Sequence, residues 1–285
     1  MKTLRCLCLL ACAGLVARPA PAQDVQFLMV KPGDPSATET MAKDFLDDMA
    51  AYLSSRVDAF SGRTVGGLIS NRTSSAAEII GSRRPAIVFC PASFYLGYLR
   101  TLGRATPVAE LHRFGAVAEQ YVLVSSSNGP ASLEEALKGH IIATADFDEA
   151  YLDRVVFPAG ASRSGPLPIA ASENVSDDVF LLLEGDPASG STSLLLDTEL
   201  RSLFESDDLV WPELRVVWES AALPRDLVVA IGADWDEQEL TDLEAALRDM
   251  PDIAEGSRIL ELMSSDGFVS VDRNRLERAT ELYDR

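Results

Sequence analysis

Short runs of apolar, often β-branched residues alternate along this chain with segments whose apolar positions recur at helical spacing. Val25 to Val30 is such a run, closed by Lys31-Pro32-Gly33-Asp34-Pro35, and reads as a strand followed by a loop. Ser36-Ala37-Thr38-Glu39 has the form of a capping box, and Met41, Phe45, Met49 and Leu53 then fall on one helical face. Arg63 to Ser70 predicts a second strand, and Ser75 to Glu78 opens a short helix. Pro85 to Cys90 predicts a buried strand, with Pro91-Ala92-Ser93 after it. Tyr121 to Ser125 and Ile141 to Thr144 are further strands on either side of a helix begun by Ser132-Leu133-Glu134-Glu135 and ended at Lys138-Gly139.

The second half alternates less cleanly. Ser193 to Leu196, Leu214 to Trp218 and Leu227 to Ile231 read as strands, and Asp197 to Phe204 as a helix. A long helix follows Asp234 to Glu237, with Leu240, Leu243, Ala246 and Leu247 on its apolar face. Pro158 to Ala171 lacks periodicity and reads as an irregular loop. Strands alternating with helices predict an α/β protein built on parallel sheets with helices on both faces.

The first residues stand apart from this pattern. Lys2 and Arg5 form a short positive start, Leu4 to Val16 is almost all apolar, and Ala20-Pro21-Ala22 is a small-x-small cleavage pattern, so residues 1–22 read as a secretory signal peptide. The stretch is short of the ~20 residues that a membrane-spanning helix needs. A rival reading places a lipid on Cys12, after Leu9-Leu10-Ala11. Cleavage after Ala22 removes Lys2, Arg5 and Arg18 and takes the net charge from −19 to −22. It also leaves Cys90 as the one cysteine, in an apolar run where a buried inert thiol is expected and no disulfide is possible.

This acidity excludes nucleic acid and anionic membrane surfaces as partners, because both demand a basic face. At 47% apolar residues the chain can fill a core, which excludes wholesale disorder. Hydrolase chemistry finds no footing. The histidines are His112 and His140 alone, and no Gly-x-Ser-x-Gly elbow is present. Clustered His and Cys for zinc, or an Asp-x-Asp-x-Asp-Gly loop for calcium, are absent too. No cofactor is expected and the chain reads as a non-enzyme.

Several segments carry a resemblance. They are Pro85 to Tyr95, a strand and a Pro-Ala-Ser turn; Tyr121 to Val124 with Ser132 to Gly139; Gly190 to Thr198 around Leu195-Leu196-Asp197; Trp218 to Pro224 with Leu227 to Ala230; and Asp266-Gly267-Phe268. In this order and spacing the chain resembles the phosphate, phosphite and phosphonate type of periplasmic substrate-binding proteins, over about residues 24 to 282. The resemblance implies a two-lobed type 2 binding protein, each lobe a mostly parallel sheet flanked by helices, joined by two crossing strands. Residues 24–121 and 226–285 would form lobe one and residues 122–225 lobe two. It further implies an extracytoplasmic, monomeric component of an ABC importer, with a permease or a membrane sensor as partner and a small polar solute as ligand. A ligand sensor or protein-interaction module without transport is the alternative.

Ligands of open α/β sheets bind at the carboxyl ends of the strands. That places Lys31, Ser93, Phe94, Tyr95, Asp146, Asp148, Tyr151 and Asp197 as candidate ligand contacts. Each has a plain structural reading as well: Ser93 and Asp197 as helix caps, Phe94 and Tyr95 as core aromatics, Lys31 as exposed loop. The phosphonate binders of the family carry a Ser-Thr-Ser-Gly run after the Lys-Gly element, whereas this chain reads Asp146-Phe147-Asp148-Glu149 nearby. Three carboxylates repel an anion, so the ligand is expected to be cationic or zwitterionic, or else the cleft serves a protein contact. The same acids at a helix start in open solvent are the bland alternative.

Overall fold

The computed structural model describes residues 24–34, 37–144, 148–157, 167–172, 174–184 and 192–285. The signal segment with Cys12, and the candidates Ser36 and Asp146, lie outside them. Among the described residues the strands are, in chain order, β1 (Val25–Val30), β2 (Val65–Ser70), β3 (Ile87–Cys90), β4 (Ala105–His112), β5 (Val122–Ser126), β6 (His140–Thr144), β7 (Ile169–Ser172), β8 (Thr192–Leu196), β9 (Leu214–Glu219), β10 (Leu227–Ile231) and β11 (Gly267–Ser270). They form a six-stranded sheet in the order β11-β4-β10-β3-β1-β2 and a five-stranded sheet in the order β7-β6-β8-β5-β9.

Parallel pairs are joined by antiparallel ones at informative places. β1 is parallel to β2 and to β3, and β10 is antiparallel to both β3 and β4. β6 is parallel to β7 and to β8, and β5 is antiparallel to β8 and β9. Thus β5 and β10, the strands by which the chain enters each sheet from the other, both run against their neighbours. The chain passes between the sheets twice, through residues 113–121 and 220–226. These segments hold each other: Glu119 and Leu223 exchange both backbone hydrogen bonds at 2.9 Å, and the Ser220 amide donates to the Tyr121 carbonyl at 2.8 Å.

Helices cover the faces. In chain order they are α1 (Glu39–Arg56), α2 (Thr73–Arg83), α3 (Ala92–Gly97), α4 (Leu133–Ala136), α5 (Glu149–Tyr151), α6 (Val175–Glu184), α7 (Thr198–Glu205), α8 (Glu237–Arg248), α9 (Ala254–Leu262) and α10 (Arg273–Tyr283). α5 runs on into a π-helical turn, Leu152–Val156. One core packs α1, α8 and α9 on the six-stranded sheet around Phe27, Met49, Leu53 and Phe89. A second core joins the two sheets, with Leu28, Val88 and Leu227 on one side and Leu123, Ile141 and Leu195 on the other. A third lies behind the five-stranded sheet, where Val122, Val124, Leu194 and Leu196 meet α6 and α7 residues. β5 serves two cores because successive side chains point to opposite faces.

Local starts and stops differ from expectation in places. Thr38, rather than Ser36, caps α1 by accepting from the Met41 amide. Met41 is 70% exposed, so the apolar face of α1 begins at Ala42 and Phe45 rather than at Met41. α2 opens at Thr73, ahead of Ser75. The capping box of α8 is Asp236 with Glu239, two residues beyond the expected start at Asp234. β4 has no counterpart among the expected strands: Pro107 interrupts its apolar run, and a β-bulge against β10 accommodates it. β7 lies within the stretch expected to be irregular, paired with β6 at the sheet edge. No helix among the described residues is long and apolar enough to cross a membrane.

Candidate functional site

The carboxyl ends of the strands face one another across a cleft of about 390 Å³ between the two sheets. β1 contributes Lys31 and the loop to Asp34. β3 contributes Pro91, Ala92 and Ser93, and β4 contributes Leu111 and Arg113. From the other side come Ala143 at the end of β6, Asp148 and Tyr151 of the α5 turn, and Leu195, Asp197 and Glu199 where β8 meets α7. The crossing segments close the back with Glu119, Tyr121, Pro224, Arg225 and Asp226. A volume of this size suits a small solute, at the lower end of the usual range for ligand cavities.

Carboxylates dominate the electrostatics. Asp34, Glu119, Asp148, Asp197, Glu199 and Asp226 line the cleft against Lys31, Arg113 and Arg225. Two of these acids are half-buried and held by backbone amides. Glu119 accepts from the Thr198 amide at 2.8 Å, and Asp197 caps α7 by accepting from the Leu200 amide at 2.8 Å. Burial, with repulsion from Asp197 behind it, pushes Glu119 from 4.5 up to about 7. Burial, aided by the Glu199 and Asp226 charges, pushes Asp197 from 3.8 up to about 6 against the pull of its cap hydrogen bond. Each charge opposes the other, so the two titrate as a pair. Tyr121 and Tyr151 beside them are raised, by burial first and then by neighbouring charges that include Glu119.

The two arginines already have partners. Arg225, 4% exposed, donates to the Arg113 carbonyl at 2.8 Å and to the Ala116 carbonyl, so it fixes the turn that leaves β4. Burial lowers its guanidinium below the ordinary value. Arg113 reaches Glu199 of α7 at 3.0 Å and Asp226 at 3.9 Å. At the rim the α10 helix of the first sheet meets α5: the Tyr283 hydroxyl donates to Asp148 Oδ2 at 3.4 Å, and Arg154 Nη1 donates to the Tyr283 carbonyl at 2.8 Å.

Lys31, Ser93, Asp148, Tyr151 and Asp197, all expected as contacts, line this cleft. Phe94 and Tyr95 do not. Both are buried in the core that joins the sheets, and the Phe94 ring lies 5.4 Å from that of Tyr98. The reason is helical rotation: α3 turns about 100° per residue, so only Ser93 of the three faces the cleft. Of the three acids expected together, Asp148 caps α5 by accepting from the Tyr151 amide at 2.9 Å, Glu149 does not line the cleft, and Asp146 lies outside the described residues. Sequence reasoning missed Arg113, Glu119, Tyr121, Glu199, Arg225 and Asp226. Their signal is positional, since Arg113, Glu119, Tyr121, Arg225 and Asp226 flank or form the crossing segments. Among the described residues no group of three or more His, Cys, Asp or Glu is arranged to hold a metal ion.

Residues 165–276 match the family model of the periplasmic substrate-binding proteins of phosphonate ABC transporters. Comparison with curated proteins finds no match. Among solved structures, the fold is shared with XAC2383 from Xanthomonas citri bound to ATP, at 16% identity and a TM-score of 0.68, over 92% of this chain and 98% of that one. It is shared with a binding protein component of an ABC phosphonate transporter from Pseudomonas aeruginosa, at 14% identity and a TM-score of 0.62, over 92% and 88% of the two chains. It is shared too with PhnD1 from Prochlorococcus marinus in complex with methylphosphonate, at 11% identity and a TM-score of 0.63, over 91% and 97%. Matched segment and shared fold point the same way: residues 165–276 resemble the phosphonate-type periplasmic substrate-binding family, and the chain as described shares the fold of two solved binding proteins of that type.

Proposed function

We propose that this chain is an extracytoplasmic solute-binding protein, which holds a small polar solute between two lobes and presents it to the permease of an ABC importer. The family match and the two-lobed fold support the substrate-binding role rather than an enzymatic one. Residues 24–121 with 226–285, and residues 122–225, are the two bodies of this reading. They close about the paired crossing segments, as hinge-linked lobes do.

The observation that carries the choice of solute is the half-buried pair Glu119 and Asp197 in an acid-rich cleft. A methylphosphonate-like dianion would face both carboxylates at close range. An ammonium group placed there would instead convert their repulsion into attraction, which is worth most in a low-dielectric site. The solute is therefore proposed to carry a cationic amine, alone or in a zwitterion.

Calorimetric titration with amino acids, aminoalkylphosphonates, polyamines, alkylphosphonates and phosphate tests this. Tighter binding of amine-bearing solutes than of phosphate or simple alkylphosphonates, with protons released on binding below pH 7, is the expected result. Binding of simple alkylphosphonates with no response to any amine would overturn the solute assignment.

A further inference from the structure

Arg113 stands out among the cleft residues. Its side chain is 11% exposed, so most of its desolvation has already been incurred. A guanidinium offers five N–H donors in a rigid fork. Here Nη1 meets Glu199 at 3.0 Å and Asp226 only at 3.9 Å, and Nε is buried with no hydrogen-bond partner among the described residues. The Glu199 side chain is 55% exposed, on the first turn of α7, and belongs to the opposite sheet. An ion pair with one half-exposed partner is weak and exchangeable. The backbone of Arg113, by contrast, is fixed by Arg225. The arrangement is a positioned, under-compensated fork facing a cleft, with an internal carboxylate resting on it.

We infer that Arg113 is the oxyanion anchor of the cleft and that Glu199 is its internal competitor, displaced when the carboxylate or phosphonate end of a solute binds. This rests on reading the cleft as a solute site, and it narrows the solute to a zwitterion. The oxyanion takes the Arg113 fork bidentately, and the ammonium lies toward Glu119 and Asp197. Because Glu199 is on α7 and Arg113 follows β4, the exchange also decides whether this ion pair bridges the two sheets.

The test uses inorganic phosphate as the probe, at constant ionic strength, read by the melting of the purified protein. Glu199→Gln removes the competitor and is expected to tighten the phosphate response about fivefold, the worth of an exposed ion pair. Arg113→Gln is expected to abolish the response in both backgrounds. Arg113→Lys keeps the charge but loses the fork, and gives a weakened response in a chain whose fold is better protected. A Glu199→Gln response equal to that of the unmodified protein, no response in any form, or a response that survives Arg113→Gln would overturn the inference. The solute panel separates this from the broader reading. Zwitterions that bind Arg113→Lys as tightly as the unmodified protein keep solute capture and remove the anchor. A phosphate response that depends on Arg113, with no solute bound, does the reverse.

Discussion

The Tyr283 hydroxyl donates to Asp148 Oδ2 at 3.4 Å, tying the last helix of the first sheet to a residue that lines the cleft from the second. Gly97 of α3 lies under this contact. A Cβ built on it would sit 2.9 Å from both Asp148 Oδ2 and the Tyr283 hydroxyl. Arg154 and Arg100 flank the Tyr283 ring at 5.8 Å each, and Arg100 also pairs with Asp284. Two lobes thus touch at a junction away from their covalent crossings.

Tyr283→Phe should loosen that junction. The loss of one part-buried hydrogen bond costs about 1 kcal/mol. Gly97→Ala should act in the same direction, because Asp148 and Tyr283 must separate to admit the methyl group. Small-angle scattering of the ligand-free protein is expected to show a larger radius of gyration for both variants. A radius unchanged in both would mean the junction does not restrain the lobes.

Stability should fall as pH rises from acid to neutral. Glu119 and Asp197 have folded values of about 7 and about 6, above their ordinary 4.5 and 3.8, so the folded chain holds protons that the unfolded chain has released. Their contribution is fully present below about pH 4. It is lost as pH rises through those folded values. A gap of one pH unit between the folded and unfolded values corresponds to about 1.4 kcal/mol, which puts the loss on the kcal/mol scale. Glu119→Gln, which keeps an acceptor for the Thr198 amide, should flatten the curve. Urea unfolding at a series of pH values checks this, and a curve equally steep in Glu119→Gln would refute the assignment.

Gly256→Ala should destabilise the chain without touching the cleft. Its Cβ would lie 2.4 Å from the Met250 carbonyl oxygen and 2.7 Å from the Met250 Cα, backbone atoms that cannot swing aside. Overpacking of this kind costs about 1–3 kcal/mol or more. Thermal melting at one pH suffices, and an unchanged midpoint would show that the turn from Met250 to α9 yields easily.

Asp148→Asn should weaken amine binding while the protein still folds, since the amide oxygen can go on capping α5. A loss of about tenfold in affinity is expected for a carboxylate that faces the ammonium across the cleft. Calorimetry with the tightest amine of the panel reads this directly. Equal affinity would confine Asp148 to capping and to its contact with Tyr283.

Where pattern and structure part company, the reasons are physical. Strands with uniform apolar runs, such as Ile87–Cys90 and Leu227–Ile231, are legible because both faces are buried. β4 is hidden by Pro107 and by Glu110, an acid buried against Arg275. Ser93, Lys31 and Asp197 are legible as cleft residues because strand ends converge on a crevice in any such sheet. Phe94 and Tyr95 are misplaced because the phase of a short helix is not written in a Pro-Ala-Ser turn. Arg113, Glu119 and Arg225 escape because their importance lies in the pairing of residues 113–121 with 220–226, a long-range contact that local pattern does not reveal.

The most direct test of solute capture in the cleft is a thermal-shift panel of amine-bearing zwitterions, polyamines, alkylphosphonates, phosphate and sulfate on the purified protein. A ligand at 100 times its dissociation constant stabilises by about 2.7 kcal/mol, enough to raise the melting point by several degrees. Such a shift is expected for one or more zwitterions, and it should shrink in Asp197→Asn. No shift with any member of the panel, or a shift that Asp197→Asn leaves intact, would contradict capture of an amine-bearing solute between the lobes.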